Sequence, residues 1–134
     1  MVLRTDRTSG AAAAAGRRKR VRGADGARRL TAAELGGEPG ERATLVQFSS
    51  AFCAPCRATR RTLAEVARMV PGVAHVEIDA EARLGLVREL GIVKTPTVLV
   101  LDADGTVVRR AQGQPRRADV IAALGAAVSG RHGG

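Results

Sequence analysis

The stretch LVQFSSAFCAPC, residues 45–56, decides how the chain folds. Its first half closes a near-continuous apolar run, 43–49 (ATLVQFS), with the pattern of a strand buried on both faces. Its second half, Cys53-Ala54-Pro55-Cys56, opens a helical segment. Leu63, Val66, Ala67 and Val70 form one apolar stripe at helical spacing, and Pro71-Gly72 stops it. Two cysteines three apart, at a strand-to-helix junction, carry specific chemistry. Cys53 is expected at the helix start, where unpaired N–H groups and the macrodipole favour an anion. A thiolate is stabilised in that setting, so the nucleophile is populated near neutral pH. Cys56 lies one turn along and nearer the core, able to reach the Cys53 sulfur but not bulk solvent. The pair is expected to act as an attacking and a resolving thiol, the arrangement that thiol–disulfide exchange needs.

Working outward, Thr31-Ala-Ala-Glu34 has the form of a capping box, and Gly36, Gly37, Pro39 and Gly40 end the short helix it starts. Residues 73–79 (VAHVEID) read as a second strand. Residues 80–90 read as a helix, with Asp79 as N-cap and Gly91 at its end. Residues 97–101 (TVLVL) read as a third strand, and Asp102-Ala-Asp104-Gly105 as a hairpin turn into a returning strand over 106–109. Pro115 is placed as the first residue of a last helix, striped by Val120, Ile121, Leu124 and Val128. The order is β-α-β-α-β-β-α. Helices link the first three strands, so these are expected to be parallel, with right-handed crossovers. The fold class is α/β: a mixed sheet of three parallel strands plus a C-terminal antiparallel hairpin strand, with helices on both faces.

Composition sets the limits. A chain of 134 residues and 13.9 kDa is one domain, or one domain with a tail. Aromatic residues are 1% of the total, which argues against stacking on single-stranded nucleic acid. No apolar run approaches the roughly 18 residues of a membrane helix. The net charge of +9 is uneven: residues 1–29 carry +7 and the rest +2. The sequence divides into a disordered basic tail (1–29), an ordered domain (30–128) and a frayed C-terminus (129–134). Ala11–Ala15 is too short and too weakly apolar to serve as the core of a secretory signal. Charge runs are ordinarily solvated segments, so nucleic acid is not the expected partner. Membrane contact is expected only if a helix precedes the arginine cluster 17–20 upstream. The location otherwise expected is cytoplasmic. No zinc site is expected: Cys53 and Cys56 would need His75 and His132, which lie 57 residues apart.

Thr95-Pro96 precedes the third strand and follows Cys56 by 40 residues. A proline at a strand start is tolerated because no ladder donor is needed there. Together with the cysteine pair, it completes a pattern. The segments LVQFSSAFCAPC (45–56), VAHVEID (73–79), LGIVKTPTVLVLDADGTVV (90–108) and the region from Gly113 into the last helix resemble the thioredoxin family. The resemblance implies that Cys53 attacks and Cys56 resolves. It implies that Pro96 is a cis proline beside the disulfide, that the Thr95 backbone pairs with a substrate chain, and that Gly113 keeps the substrate groove open. It also implies disulfide-containing protein substrates, a thioredoxin reductase or other thiol donor, no organic cofactor or metal, and a monomer.

The departures from the family pattern carry information. Phe52 stands where the family usually has tryptophan, keeping an apolar lip without an indole N–H. Ala54-Pro55 replaces Gly-Pro and keeps the proline. Gln47 replaces a buried aspartate to which the family assigns proton transfer at the second cysteine, and His75 replaces its lysine partner. An amide cannot accept that proton at neutral pH, which leaves water or His75. The family's first strand is missing or shortened. The sequence therefore points to a thiol–disulfide oxidoreductase that reduces protein disulfides. The competing reading is a thioredoxin-like binding module that its basic tail localises to nucleic acid or membrane.

Overall fold

A computed structural model describes residues 28–133. The short helix α1 (Ala32–Leu35) leads into β1 (Ala43–Ser49), followed by α2 (Ala54–Met69) and β2 (Val73–Asp79). A 3₁₀ turn (Ala80–Ala82) and α3 (Leu84–Leu90) come next, then β3 (Thr97–Asp102), β4 (Val107–Gln112) and α4 (Arg117–Gly133). The four strands form one sheet in the order β2-β1-β3-β4. The mixed sheet with helices on both faces is the class expected.

β1 is the hub. All seven of its residues are buried, which is what a near-continuous apolar strand requires. Alternation along the strand sorts them between two cores. Val46 and Phe48 face Leu86, Leu90, Leu99 and Leu101 on one side. Leu45 faces Leu63, Val66, Val98, Val100, Val120 and Leu124 on the other. Gln47 and Ser49 share the Leu45 face by the same alternation, so two polar side chains are brought under α2. The capping box forms: the Glu34 N–H donates to Thr31 Oγ1 at 3.1 Å, and the Thr31 N–H donates to Glu34 Oε1 at 2.9 Å.

The sense of the third strand corrects the sequence reading. β1 and β2 are parallel, but β3 runs antiparallel to β1, as β4 does to β3. The reason is length. The seven-residue α3 rises only about 10 Å, against roughly 23 Å for a seven-residue strand. α3 covers less than half of that distance, and β3 sets off from the end where β2 finished. The helix expected over 80–90 is also divided. Arg83 (φ −132°, ψ 53°) separates the 3₁₀ turn from α3. The first turn buries no residue, whereas Leu86 and Leu90 anchor α3. Pro115 lies two residues ahead of α4 rather than at its first position, because the Arg116 carbonyl accepts the first bonds, from the N–H groups of Asp119 and Val120.

Most of the basic tail, residues 1–27, lies outside the described residues. Arg28 and Arg29, grouped with it by charge, belong to the folded unit. The Arg28 guanidinium binds Glu34 at 3.0 Å and Glu89 at 2.6 Å, and its carbonyl accepts from the Val107 N–H at 2.8 Å. Arg29 forms an isolated bridge with Thr106. Among the described residues that bridge is the only strand pairing ahead of α1. No described helix is long and apolar enough to cross a membrane.

Leu63, fully buried between α2 and the sheet, tests this packing. Leu63→Ala is expected to reduce the unfolding free energy by about 3 kcal/mol. The readout is a lower urea midpoint at unchanged slope.

Candidate active site

The site lies where β1 hands the chain to α2. The turn between them passes through Phe52, whose φ of 58° is in the left-handed region that side-chain-bearing residues rarely adopt. The Phe52 ring points fully into solvent. Cys53 is the N-cap of α2, with Ala54 and Pro55 in the first turn, where a missing N–H costs nothing. The Cys56 N–H donates to the Cys53 sulfur at 3.2 Å and to the Cys53 carbonyl at 3.1 Å. This is the cap geometry that favours negative charge on sulfur. Cys53 and Cys56 form a disulfide, with Cα atoms 5.2 Å apart. Cys53 is half-buried, and Cys56 is only 1% exposed.

Two further segments, the 94–96 loop and Gly113, are tied to the end of β1 from which the pair follows. The Thr95–Pro96 peptide is cis, and Pro96 is buried. Hydroxyls of Ser50 and Thr95 bond at 2.8 Å, tying the end of β1 to this loop. The Gly113 N–H donates to the Pro96 carbonyl at 2.8 Å. Gly113 has φ of +85°, and a side chain there would point toward the Lys94 ammonium. Among the described residues, the N–H and carbonyl of Thr95 have no hydrogen-bond partner.

Beneath Cys56 lies a polar chain. Gln47, fully buried, donates through Nε2 to the Cys56 carbonyl at 2.7 Å and to Ser49 Oγ at 3.0 Å. Its Oε1 lies 3.2 Å from His75 Nε2. The directions are fixed by elimination. A carbonyl only accepts, so the Gln47 NH₂ must face Cys56 and its oxygen must face His75. His75 Nε2 therefore carries a hydrogen. Burial lowers the His75 pKa from its ordinary 6.5, and the nearby Arg60 charge adds to this against the opposing pull of Glu77. Glu77 lies below the usual carboxylate range, mainly through its hydrogen bonds to Arg60 at 2.7 and 2.8 Å, with Ser49 helping.

The structure thus brings together every residue singled out in the sequence: Gln47, Phe52, Cys53, Ala54, Pro55, Cys56, His75, Thr95, Pro96 and Gly113. It adds three that the sequence reading passed over. Ser49 follows Gln47 by two in a buried strand, a spacing that puts both on one face. Lys94 brings its ammonium beside Gly113. Thr59 follows Cys56 by three on a helix, a spacing that stacks their side chains on the buried face.

Comparison with known proteins agrees with this geometry. The family model described as a thioredoxin-like domain matches residues 31–128. A thioredoxin from Mycolicibacterium smegmatis is 30% identical over 83 residues, covering 60% of this chain and 73% of that protein. Thioredoxin f from spinach chloroplast (short form) is similar in structure, with a TM-score of 0.59 and 25% identity, covering 67% of this chain and 80% of that one. A thioredoxin variant from Halobacterium salinarum shares the fold at a TM-score of 0.60 and 17% identity, over 66% of this chain and 77% of that one. The chain belongs to the thioredoxin-like family. With its adjacent, disulfide-forming cysteines it is a thiol–disulfide oxidoreductase.

The lowered His75 pKa has a stability consequence. The unfolded chain binds a proton near pH 6.5 that the folded chain resists, so stability falls as pH drops below that value. The depressed carboxylates, Glu34 and Glu77, respond only below about pH 4.5. Between pH 7 and 5 the urea midpoint should therefore decline in the parent chain and decline less in His75→Gln.

Proposed function

We propose that this chain reduces disulfide bonds in other proteins. The Cys53 thiolate attacks one sulfur of a substrate disulfide, forming a mixed disulfide and expelling the other sulfur as a thiolate that takes a proton from solvent. Cys56 then loses its proton and attacks the Cys53 sulfur. The Cys53–substrate bond breaks, and the second substrate sulfur leaves. Two electrons pass from the cysteine pair to the substrate, and the pair ends as the Cys53–Cys56 disulfide. A thioredoxin reductase, or another dithiol donor, returns it to the reduced state. The chain acts as a monomer without organic cofactor or metal.

One observation carries the reading. The half-buried Cys53 sulfur accepts the Cys56 N–H at a helix start, while Cys56 is buried within bonding distance behind it. One sulfur is thereby presented to a partner and the other is kept for the return attack. The surroundings support a protein substrate. Phe52 offers an exposed apolar lip, and Thr95 offers backbone groups with no partner among the described residues, which suits pairing with an extended chain. Gly113 leaves the groove beside Pro96 open.

Cys53→Ser should bring disulfide reduction down to the uncatalysed background. Cys56→Ser should still react once and accumulate mixed disulfides on Cys53, visible as mass additions removed by dithiothreitol. A parent chain that leaves every protein disulfide intact would overturn the reductase reading and favour the binding module.

A further inference from the structure

Among the described residues, one buried side-chain polar atom has no hydrogen-bond partner: the Thr59 hydroxyl. Thr59 is 0% exposed. Natural interiors nearly always satisfy such a group, and an exception calls for a cause. A helical threonine ordinarily bonds back to a carbonyl of the preceding turn. Thr59 does not, and the carbonyl three residues back, that of Cys56, already accepts from Gln47 Nε2 at 2.7 Å.

Cys56 and Thr59 are both buried on one face of α2, a turn apart. Side chains on a helix lean toward its N-terminus, so Thr59 leans over the turn that carries Cys56. In the oxidised chain the Cys56 sulfur is held in its bond to Cys53 and offers Thr59 nothing. Opening the disulfide frees that sulfur to move and, as a thiolate, makes it a much stronger acceptor.

We propose that Thr59 donates a hydrogen bond to the Cys56 sulfur in the reduced chain, and so helps set both the redox equilibrium of the pair and the ionisation of Cys56. This rests on the reading of Cys53 and Cys56 as attacking and resolving thiols. No other described group in the pocket is as free to do it. Both Gln47 amide protons are committed, to Cys56 and to Ser49. His75 is bonded to the far end of Gln47. Ser49 is turned toward Gln47 and Glu77.

The electron count fixes the sign. Reduction passes two electrons from a dithiol donor to the Cys53–Cys56 bond. The donor becomes a disulfide, and the freed sulfurs take up the donor's protons or remain as thiolates. The hydroxyl is unpaired before this step and paired after it. Thr59 therefore favours the dithiol, and it favours the Cys56 thiolate over the thiol.

Thr59→Val keeps the side-chain shape and removes the donor. Equilibrated with reduced and oxidised glutathione, this variant should shift toward the disulfide by about tenfold, a fall of about 30 mV in midpoint potential. The rate at which Cys56 resolves a mixed disulfide held on Cys53 should reach its plateau at higher pH. Thr59→Ser should match the parent chain in both measurements. Thr59→Ala should follow valine, so the test survives if valine packs poorly. Valine and alanine variants with the parent's equilibrium and pH profile would overturn the proposal. A parent chain that fails to exchange with glutathione at all would instead sink the dithiol reading, and this proposal with it.

Discussion

The site depends on a single amide. The Cys56 N–H is one of the first donors of α2, and it is held jointly by the carbonyl and the sulfur of Cys53. That contact exists only if the chain leaves β1 and enters a helix within four residues, which the left-handed turn at Phe52 allows. β1 in turn can end there only because it is buried along its whole length and cannot slide. A one-residue slip would exchange Val46 and Phe48 for Leu45 and Gln47 between the two cores. The thiol chemistry is therefore anchored in the packing of the buried strand that leads into it.

This division of labour explains how a chain so poor in aromatic residues holds a defined site. Phe48 is the one aromatic side chain in the core; the other, Phe52, is spent on the surface. Leu, Val and Ile fill the rest, and the ion pairs lie on the outside. Arg28 with Glu34 and Glu89, Arg60 with Glu77, and Arg116 with Asp119 are all at least partly exposed and add little to stability individually. Arg28 is more useful as a fastener. It ties the residues before α1 to α3 through its side chain and to β4 through its carbonyl. The edge of the sheet is thus secured without a full additional strand.

Much of this was legible in the residues, and what was not has a physical reason. The apolar run 43–49, the CxxC junction and the stripe through Leu63 and Val66 report burial and periodicity, which sequence records directly. The Thr31–Glu34 box and the Asp102–Gly105 turn are local chemistry and form as read. The direction of β3 is different, because it depends on how far α3 travels across the sheet. That distance was set by a break at Arg83 where the sequence shows neither glycine nor proline. The placing of the site residues was legible in part, since the motif sets 52–56 beyond the end of β1 and alternation sets Gln47 on the face under α2. Their hydrogen bonds were not. That Gln47 reaches the Cys56 carbonyl, and that Thr59 is left without a partner, are outcomes of side-chain packing with no signature in spacing alone.

The amide at position 47 changes how the site responds to acid. A carboxylate beneath a disulfide would gain and lose charge as pH moves, and each change would alter its grip on the helix. Gln47 cannot do this. Its NH₂ donates to Cys56 at any pH, and its oxygen accepts from His75 Nε2, which carries a hydrogen in both the neutral and the protonated ring. Protonating His75 therefore adds a charge at the far end of the chain without reversing any hydrogen bond in it. The backbone under Cys56 is held the same way across the range in which thiols titrate. What pH can alter is left to the sulfurs themselves and to whatever donor faces them. Gln47 thus steadies the scaffold and takes no part in moving the Cys56 proton, which an amide cannot accept at neutral pH.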